Sequence, residues 1–432
     1  MFAEEKHFVF DGCDTVELAD TFGTPLYVVS ETAIRERCCE IKRDFLDKYP
    51  GTRAVYASKA FLTLAMARII ASEGLGLDVV SGGEIYTAYK AGFPMEKTIF
   101  HGNNKTQEEL VLAMQTGVGR IVVDSESELE LVEKTARTID VRPALLFRIA
   151  PGVDAETHQY IATGHSTSKF GFSLNDSSLE QLVRRVMDSD HMVLKGFHFH
   201  VGSQLQSNRS HLLAVDVLVH WMGALSRNIG FVTEELNIGG GFGVPQQPDE
   251  GRKPLAYFTD SIMTRIREES EKEGISLSSV LIEPGRWVVS EAGITLYRVG
   301  SIKEIPGAMT YVGIDGGMTD NPRPELYGAQ YWGVLANKMG EPAVKQVTVV
   351  GKCCESGDVL MRDVMVPDSI RRGDVLAVFN TGAYTFSMAS NYNRLPRPAV
   401  VLVHEGEAHA IVKRQSYDDL LRGEEIPEHL RS

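Results

Sequence analysis

From residue 52 to about residue 284 the sequence repeats one pattern, in which a short apolar or β-branched run is followed by an amphipathic helical stretch. The eight runs are Ala54–Ala57, Gly76–Val80, Thr98–Phe100, Arg120–Val123, Ala144–Ile149, Val193–Phe199, Glu235–Ile238 and Val280–Ile282. Strands of a parallel sheet are buried on both faces, so their sequences are apolar throughout instead of alternating. Eight strand–helix repeats of this kind predict a closed (β/α)8 barrel of the TIM type in preference to an open, doubly wound sheet.

The stretches between these runs carry helix signals of their own. The segment TQEELVLAMQTG begins with Thr106, a good helix cap, and Glu109 follows three residues later. This spacing is typical of a capping box, in which the two side chains satisfy backbone N–H groups at the helix start.

After about Arg286 the chain changes to β-like segments separated by glycine, proline and charged turns. These segments are ITLYRVGSIKEI, MTYVGIDGG, VKQVTVVGK, DVLAVFN, PAVVLV and HAIVKR. They predict a second domain, an antiparallel β-barrel or sandwich. The early segments HFVFDG and PLYVVS are also strand-like, and we expect them to join it. The expected organisation is 1–30 as N-terminal strands of the β domain, 31–286 as the barrel and 287–432 as the C-terminal β domain.

The composition narrows the class of partner. Lys and Arg total 44 against 58 for Asp and Glu, a net charge of −14 that disfavours nucleic-acid and membrane partners.

The N-terminal MFAEEKHFVF lacks the basic and apolar regions of a signal peptide. The cysteines are Cys13, Cys38, Cys39, Cys353 and Cys354. An odd number with two adjacent pairs and no CxxC argues against disulfides, so we expect a reduced, cytoplasmic protein.

Polar and glycine residues follow the predicted barrel strands at one place in each repeat, just past the strand's C-terminal end. They are Lys59, Asp78, Ser81–Gly83, His101, Asn103, His200, Ser203, Gly239–Gly241, Glu283 and Arg286. Barrel enzymes build their active sites on that face, so this convergence predicts a site there.

Several of these residues have two interpretations. Lys59 could be a solvated loop residue, or a partly desolvated amine that forms a Schiff base. The run GGGFG from Gly239 could be a tight turn, or a loop whose N–H groups bind a phosphate. It does not match GxGxxG, which disfavours a dinucleotide site. Glu283 could pair with Arg286, or face the ring nitrogen of a cofactor.

His198 and His200 lie two residues apart on a strand and point to the same side. Such a pair can bind a metal, with Asp78 and Asp124 as candidate further ligands, but no third and fourth ligand stands at matching strand ends. We therefore expect no metal. Stacking of His200 on a planar cofactor is the favoured interpretation, and His198 is expected to be a hydrogen-bonded core histidine.

The second domain contributes its own cluster of polar loops. IDGGMTDNPRPELYGA contains Arg323 and Tyr327, GKCCESGD contains Cys354 and Glu355, and FNTGAYTFSMASNYN contains Tyr384. Paired cysteines are usually inert and Arg323 could lie on the surface. Loops this rich in Gly, Asp and Asn inside a β domain nevertheless indicate function.

Taken in order, ten motifs resemble those of the fold-type III pyridoxal-phosphate (PLP) decarboxylases. They are YASKA, DVVSGGE, HGNNKT, TG…SKFGF, HFHVGSQ, NIGGGFG, EPGR, DGGMTDNPRPELYGA, CCESGD and GAYTFSMASNYN. Within that family the chain is most similar to the diaminopimelate decarboxylases, and the resemblance covers roughly residues 5 to 415. The Ser in YASKA and the Lys-Cys before Cys354 are minor departures that replace no residue with a role.

The resemblance implies three catalytic residues: Lys59 carries PLP covalently, His200 stacks on its ring, and Cys354 returns a proton to Cα after CO2 leaves. Glu283 would pair with the pyridine nitrogen. The residues implied to lie at the cofactor, its phosphate or their surroundings are Lys59, Asp78, His200, Ser203, Gly239, Gly240, Gly241, Glu283, Gly285, Arg286 and Tyr384. Those implied to hold the substrate are Arg286, Arg323, Tyr327, Glu355 and Tyr384.

The charges in this set indicate the substrate. Arginine matches a carboxylate in bidentate geometry, and Glu355 suits an ammonium, so Arg323 with Arg286 and Glu355 favours a substrate whose far end carries both groups. That description fits meso-2,6-diaminopimelate, with L-lysine as the product and lysine biosynthesis as the setting. The resemblance also implies a homodimer in which the Cys-Glu loop reaches into the partner's barrel. The polar stretch Thr157–Lys169 is a candidate lid.

Alternative functions remain open at this point. A PLP racemase of this fold would pair the ring nitrogen with arginine and would lack the CESGD loop. A decarboxylase of D-lysine or D-ornithine shares the cofactor chemistry. A non-catalytic PLP carrier would be a single barrel without about 140 further residues, and a metal-dependent barrel hydrolase would need the histidine pair.

Overall fold

The computed structural model describes residues 7–153 and 168–431. Apart from Ser168 and Lys169, the candidate lid Thr157–Lys169 lies outside these residues. The chain forms two compact units. The barrel unit contains Ile34–Pro245 and Glu250–Val289, and the β unit contains the residues before Ile34, residues 246–249 and those from Ser290 onward. Within the described ranges we find no helix long and apolar enough to cross a membrane.

The strands of the described residues are short, and most are apolar. In chain order they are β1 (Val9–Phe10), β2 (Cys13–Asp14), β3 (Leu26–Ser30), β4 (Thr52–Ala57), β5 (Gly76–Val79), β6 (Thr98–Phe100), β7 (Arg120–Val123), β8 (Ala144–Ala150), β9 (Phe172–Ser173), β10 (Val193–Phe199), β11 (Glu235–Asn237), β12 (Ser279–Ile282), β13 (Gly293–Ile305), β14 (Met309–Ile314), β15 (Gly333–Leu335), β16 (Ala343–Val350), β17 (Val359–Pro367), β18 (Val375–Val378), β19 (Ala399–His404) and β20 (Glu407–Val412).

Most of the helices lie between the barrel strands. They are α1 (Thr15–Phe22), α2 (Glu31–Ile41), α3 (Leu64–Ser72), α4 (Gly82–Lys90), α5 (Gln107–Thr116), α6 (Glu126–Ile139), α7 (Leu179–Met187), α8 (Arg209–Ile229), α9 (Leu255–Glu273), α10 (Arg286–Val289), α11 (Arg323–Tyr327) and α12 (Tyr417–Leu421). A π-helical turn covers Lys42–Leu46, and 3₁₀ turns cover Ser58–Ala60, Met95–Lys97, Phe386–Met388, Tyr392–Arg394 and Glu428–Leu430.

The barrel unit confirms the predicted architecture. Its strands run in the order β4, β5, β6, β7, β8, β10, β11 and β12, every neighbouring pair is parallel, and β12 pairs with β4 to close the sheet. The two-residue β9 adds to the end of β8. Each of the eight apolar runs read from the sequence overlaps one of these strands.

The barrel interior is filled by branched aliphatic side chains from different strands. The buried layer consists of Val55, Ile99, Val122, Leu146 and Leu281. Each such side chain contributes about 1.5–3 kcal/mol when fully buried, so the layer holds the strands together and makes the barrel a solid support.

Local sequence fixes where the covering helices begin. Thr106 and Glu109 form the predicted capping box at the start of α5. Ser81 and Ser125 cap α4 and α6 with a single bond each, their side chains accepting a hydrogen bond from a backbone N–H in the first turn. Because each cap stands just after a strand, the strand-to-helix loops are short and their side chains remain at the strand ends.

The β unit is a separate sheet with the order β17, β16, β14, β13, β3, β19 and β20, and β18 pairs with both β13 and β15. Most pairs are antiparallel, as predicted, although β14 with β16 and β3 with β19 are parallel. The early strand β3 lies between β13 and β19. Its core contains the fully buried Leu26, Val28, Leu296, Ala377 and Val401.

The sequence pattern missed two strands of this sheet, β15 and β17. In β17 the exposed Arg362 and Asp363 interrupt the apolar alternation. Asp363 has a positive φ of 55°, and the register between β16 and β17 shifts in several places. Such a bulged strand does not show a period of two residues, which explains why it was missed.

Candidate active site

Lys59 and Asp78 face each other at the C-terminal ends of adjacent strands. Lys59 lies in the 3₁₀ turn that follows β4, and its side chain is 44% exposed. Its Nζ is 3.9 Å from Oδ2 of Asp78, which is buried. Burial raises the pKa of Asp78, and the nearby His101 and Lys59 partly offset this effect. Asp78 Oδ1 has no hydrogen-bond partner among the described residues, so it remains available to a ligand.

Glu283, directly after β12, is a buried carboxylate held by three neighbouring side chains. Its Oε1 accepts hydrogen bonds from His101 Nε2 at 2.7 Å and from Asn237 Nδ2 at 2.6 Å. Its Oε2 accepts one from His198 Nε2 at 3.2 Å. The rings of His101 and His198 pack edge to face, with centroids 4.6 Å apart.

These contacts decide the charge of the cluster. Burial alone would raise the pKa of Glu283, but interactions with His101 and His198 outweigh it and hold that pKa well below its usual range. Burial lowers the pKa of His198 to about 3. Glu283 is therefore a carboxylate anion beside the neutral His198, and it retains acceptor capacity for a further N–H.

The glycine run after β11 comes close to other backbone segments. Gly239 and Gly241 have φ values of +69° and +92°, which side-chain-bearing residues rarely adopt. A Cβ at Gly240 would lie 2.0 Å from the Glu283 carbonyl oxygen, and one at Gly241 would lie 2.1 Å from the carbonyl of Gly202. Only glycine fits at these positions, because any side chain would displace the backbone of β12 or of the loop after β10.

His200 follows β10 and lies against this glycine run. Its Nδ1 accepts a hydrogen bond from the Gly240 N–H at 3.3 Å, which leaves the proton of the neutral ring on Nε2. Burial, with the charges of Lys59 and Arg148, holds the pKa of His200 well below its usual range. A neutral, half-buried ring suits stacking on a planar ligand.

The remaining predicted barrel residues lie in the adjoining loops. Ser203 is half-buried in the loop after β10. Gly285 packs against β4, since a Cβ there would lie 2.9 Å from the Ala57 Cβ. Arg286 is half-buried at the first position of α10. The two histidines that the sequence offered as a metal pair have different partners. His198 hydrogen-bonds to Glu283, and His200 accepts a hydrogen bond from the glycine run.

In the β unit, Arg323, Tyr327 and Tyr384 lie together. Arg323 begins α11 and is 9% exposed. Its Cζ is 4.9 Å from the ring centroid of Tyr327 and 5.3 Å from that of Tyr384. Tyr384 has a positive φ of 61°, unusual for a bulky residue and typical of functional sites.

Cys354 and Glu355 are exposed on a loop that is held in place by the side chain of Asp358. The buried Asp358 accepts hydrogen bonds from the backbone N–H groups of Met318 at 2.7 Å and Cys353 at 2.8 Å, which ties this loop to the loop preceding Arg323. Among the described residues, Glu355 makes no ion pair with Arg323. Its carboxylate instead faces Tyr392, 3.5 Å away.

The predicted site residues thus form two groups. The barrel group brings Lys59, Asp78, His200, Glu283 and the glycines to one end of the barrel, and the β unit holds the tyrosine–arginine cluster and the Cys-Glu loop. The sequence pattern overlooked Asn237, and it named His101 without giving it a role. The one available signal for Asn237 was its position directly before the glycine run.

Comparison with known proteins identifies the family. Residues 32–290 match the sequence model of the pyridoxal-dependent decarboxylases, pyridoxal binding domain. The chain belongs to the pyridoxal-dependent decarboxylase family. It is 46% identical over 423 residues to a diaminopimelate decarboxylase from Bacillus subtilis, covering 97% of this chain and 95% of that protein. It is 41% identical to one from Staphylococcus aureus, covering 97% and 98%.

Solved structures agree with this assignment. A diaminopimelate decarboxylase from M. jannaschii, solved also in complex with L-lysine, has a TM-score of 0.93 and 34% identity to this chain, and covers 99% of this chain and 98% of that one. One from Helicobacter pylori, also with L-lysine, has a TM-score of 0.85 at 29% identity, with 95% and 98% covered. Fold, family and cofactor are therefore confirmed: the chain is a PLP-dependent lyase.

The residues of the barrel unit fit PLP. The cofactor needs an amine for its aldehyde, a carboxylate for its ring nitrogen and N–H groups for its phosphate. Lys59 supplies a partly exposed amine, and Glu283 is a carboxylate anion that can accept a further hydrogen bond. The glycine run offers backbone N–H groups at positions where a side chain would clash with neighbouring backbone. The unpartnered Asp78 Oδ1 is a further acceptor beside Lys59.

Proposed function

We propose that this enzyme removes one carboxyl group of meso-2,6-diaminopimelate as CO2 and so produces L-lysine, the last step of lysine biosynthesis. The observation that carries the proposal is the Glu283 anion, buried among His101, His198 and Asn237 at the end of the barrel that also holds Lys59. A carboxylate at the ring nitrogen favours decarboxylation over racemisation, since it keeps that nitrogen protonated. The names of the relatives support the choice of substrate.

Bound PLP supplies a conjugated ring that accepts the electron pair left behind when the carboxyl group departs. In our proposal Lys59 binds the cofactor aldehyde and later releases the product. Glu283 keeps the ring nitrogen protonated, and the neutral His200 packs on the ring face. Gly239–Gly241, Ser203, Gly285, Arg286 and Tyr384 surround the phosphate, and Asp78 lies beside Lys59.

Cys354 is proposed to deliver the proton to Cα after CO2 leaves. Its side chain is exposed in a single chain, whereas a thiol that protonates a carbanion must be shielded from water. A second chain would provide this shielding. We therefore propose a homodimer in which the loop of Cys354 and Glu355 enters the partner's barrel.

The far end of the substrate is proposed to lie against Arg286, Arg323, Tyr327, Glu355 and Tyr384. Arg323 is nearly buried and its Nε has no hydrogen-bond partner among the described residues, which suits a carboxylate ligand. Glu355 would bind the distal ammonium. We further propose a cytoplasmic location, because the described cysteines are free thiols, as is typical of proteins in a reducing compartment.

The proposal is tested by measuring CO2 release from meso-diaminopimelate, D-lysine, D-ornithine, L-lysine, L-ornithine and L-arginine. We expect kcat/KM for diaminopimelate to exceed that for each alternative by at least ~10³-fold, because a missing distal carboxylate leaves Arg323 unpaired. Comparable turnover of D-lysine or D-ornithine would assign a D-amino acid decarboxylase instead. Racemisation without CO2 release would reject the proposal.

A further inference from the structure

Asn237 is a fully buried residue that contacts both functional parts of the barrel site. It is the last residue of β11 and is 0% exposed. Its Oδ1 accepts a hydrogen bond from the Gly239 N–H at 3.0 Å, and its Nδ2 donates to Glu283 Oε1 at 2.6 Å. The two contacts fix the orientation of the amide, because a flipped amide would place oxygen against oxygen and N–H against N–H.

These contacts close a ring of hydrogen bonds. The Glu283 N–H donates to the Gly239 carbonyl at 2.8 Å, while the Gly239 N–H donates to Asn237 and Asn237 donates to Glu283. Glu283 and Gly239 are thus joined twice, once through their backbones and once through the Asn237 side chain. A displacement of either one requires breaking a buried hydrogen bond, which leaves a donor and an acceptor unsatisfied.

Asn237 differs from the other two donors to Glu283 because it does not titrate. Its donor is an amide without an ionisable proton, whereas the other two donors are imidazole rings. The titratable and charged groups that interact with Glu283 from the surrounding elements are His101, His198, His200, Asp78 and Arg148.

We propose that Asn237 is a positioning residue that holds the Glu283 carboxylate toward the cofactor ring nitrogen and ties it to the glycine run. It thereby fixes the distance between Glu283, which faces the ring nitrogen, and the glycine run, which faces the phosphate. This inference rests on the roles given to Glu283 and to Gly239–Gly241 under the proposed function.

Asn237→Asp separates the two contacts, because it retains the acceptor for Gly239 and replaces the donor to Glu283 with a second carboxylate. Two carboxylates this close cannot both ionise without strong repulsion. We expect kcat to fall ~10²-fold at about pH 8.5 and to recover at least ~10-fold relative to wild type at about pH 6, where a protonated Asp donates as Asn did. PLP affinity should stay within ~5-fold of wild type.

Asn237→Leu removes both contacts at similar volume, so PLP affinity should fall ~10–100-fold as well as kcat. Asn208→Leu is the matched control. Asn208 is another buried asparagine of the barrel unit, and its amide donates to the Tyr257 carbonyl and to Ser261. Its loss should lower thermal stability and leave the pH dependence of kcat unchanged.

The second measurement is the ¹⁵N NMR signal of bound PLP labelled at its ring nitrogen. At about pH 8.5 repulsion between the two carboxylates should turn Glu283 away from the ring nitrogen, so Asn237→Asp should shift this signal toward the unprotonated form, and the shift should be absent at about pH 6. A wild-type signal and wild-type kcat in Asn237→Asp at both pH values would overturn the inference. So would wild-type PLP affinity in Asn237→Leu.

Glu283→Gln distinguishes this inference from the proposed function. If Glu283→Gln shifts the ¹⁵N signal and Asn237→Asp does not, the role of Asn237 fails and that of Glu283 stands. If Glu283→Gln also leaves the signal unchanged, the role proposed for Glu283 fails, and the inference about Asn237 fails with it.

Discussion

Arg323 is a buried cation whose environment favours the binding of a carboxylate. Its guanidinium lies over the rings of Tyr327 and Tyr384 and is 9% exposed. A desolvated cation is costly unless it is paired, and the described residues leave its Nε without a hydrogen-bond partner. The aromatic faces offset part of this cost, and a carboxylate ligand would offset more.

Arg323→Lys keeps the charge but loses the planar fork that binds a carboxylate through two N–H groups. We expect kcat/KM for meso-diaminopimelate to fall ~10²-fold, while the slow turnover of D-lysine, which has no distal carboxylate, changes less than ~3-fold. Steady-state CO2 release with both substrates measures the difference. Arg371→Lys, at an exposed position, serves as the control. An equal loss of kcat/KM on both substrates would show that Arg323 does not bind the distal carboxylate.

At the scale of secondary-structure elements, a buried ion-pair cluster at the opposite end of the barrel joins three strands. Glu235 of β11 accepts hydrogen bonds from Arg120 of β7 at 2.9 and 2.5 Å and pairs with Arg53 of β4 at 2.6 Å. Burial raises the pKa of Glu235, but the two arginines outweigh this and lower it. The cluster is at strand starts, away from the catalytic end, so it serves stability.

Glu235→Gln should therefore destabilise the barrel without altering kcat. The loss should be smaller than the ~3–5 kcal/mol typical of breaking a fully buried pair, because the Arg53 side chain is 44% exposed. A lowered carboxyl pKa contributes stability above the unfolded pKa of about 4.3, and this contribution is lost as pH falls through the folded value.

Urea unfolding of wild type and variant across pH measures this effect. The difference in free energy of unfolding should be constant at neutral pH and should shrink below about pH 4.3. Glu234→Gln is the matched control, since this neighbouring residue pairs with Lys195 at the surface and is 44% exposed. A difference that persists unchanged at acid pH would show that packing, not charge, is responsible.

At the scale of the whole molecule, the proposed dimer makes a prediction about mixed subunits. If Lys59 of one chain works with Cys354 of the other, Lys59→Ala and Cys354→Ala chains are each nearly inactive alone. A dimer of one with the other, however, has one site with both native residues and one with neither. Random mixing should restore about a quarter of wild-type activity, because half of the dimers are mixed and each has one of two sites intact.

The mixture is prepared by co-expression with two tags and assayed by CO2 release. Mixing Lys59→Ala with Glu283→Gln is the control, since both residues belong to the barrel unit and no mixed dimer would have an intact site. Sites formed within a single chain would give no recovery in either mixture, and that result would reject the shared site.

The fold was largely predictable because its pattern is local. Eight apolar runs, each followed by a helix cap such as Thr106, specify strand–helix repeats, and closure follows from their number. The strand β17 was missed because Arg362 and the positive φ of Asp363 break its alternation. That strand is stabilised by its neighbour β16, a long-range pairing that no local pattern records.

By itself, the sequence determined which residues stand at the strand ends, since each follows a recognisable strand, and its ordered motifs determined the family. Only the tertiary structure decided what surrounds Glu283. His101 follows β6, His198 lies in β10 and Asn237 in β11, and the three meet only when the barrel closes. The charge of that carboxylate depends on distances between residues far apart in the chain, and such distances exist only in the folded protein.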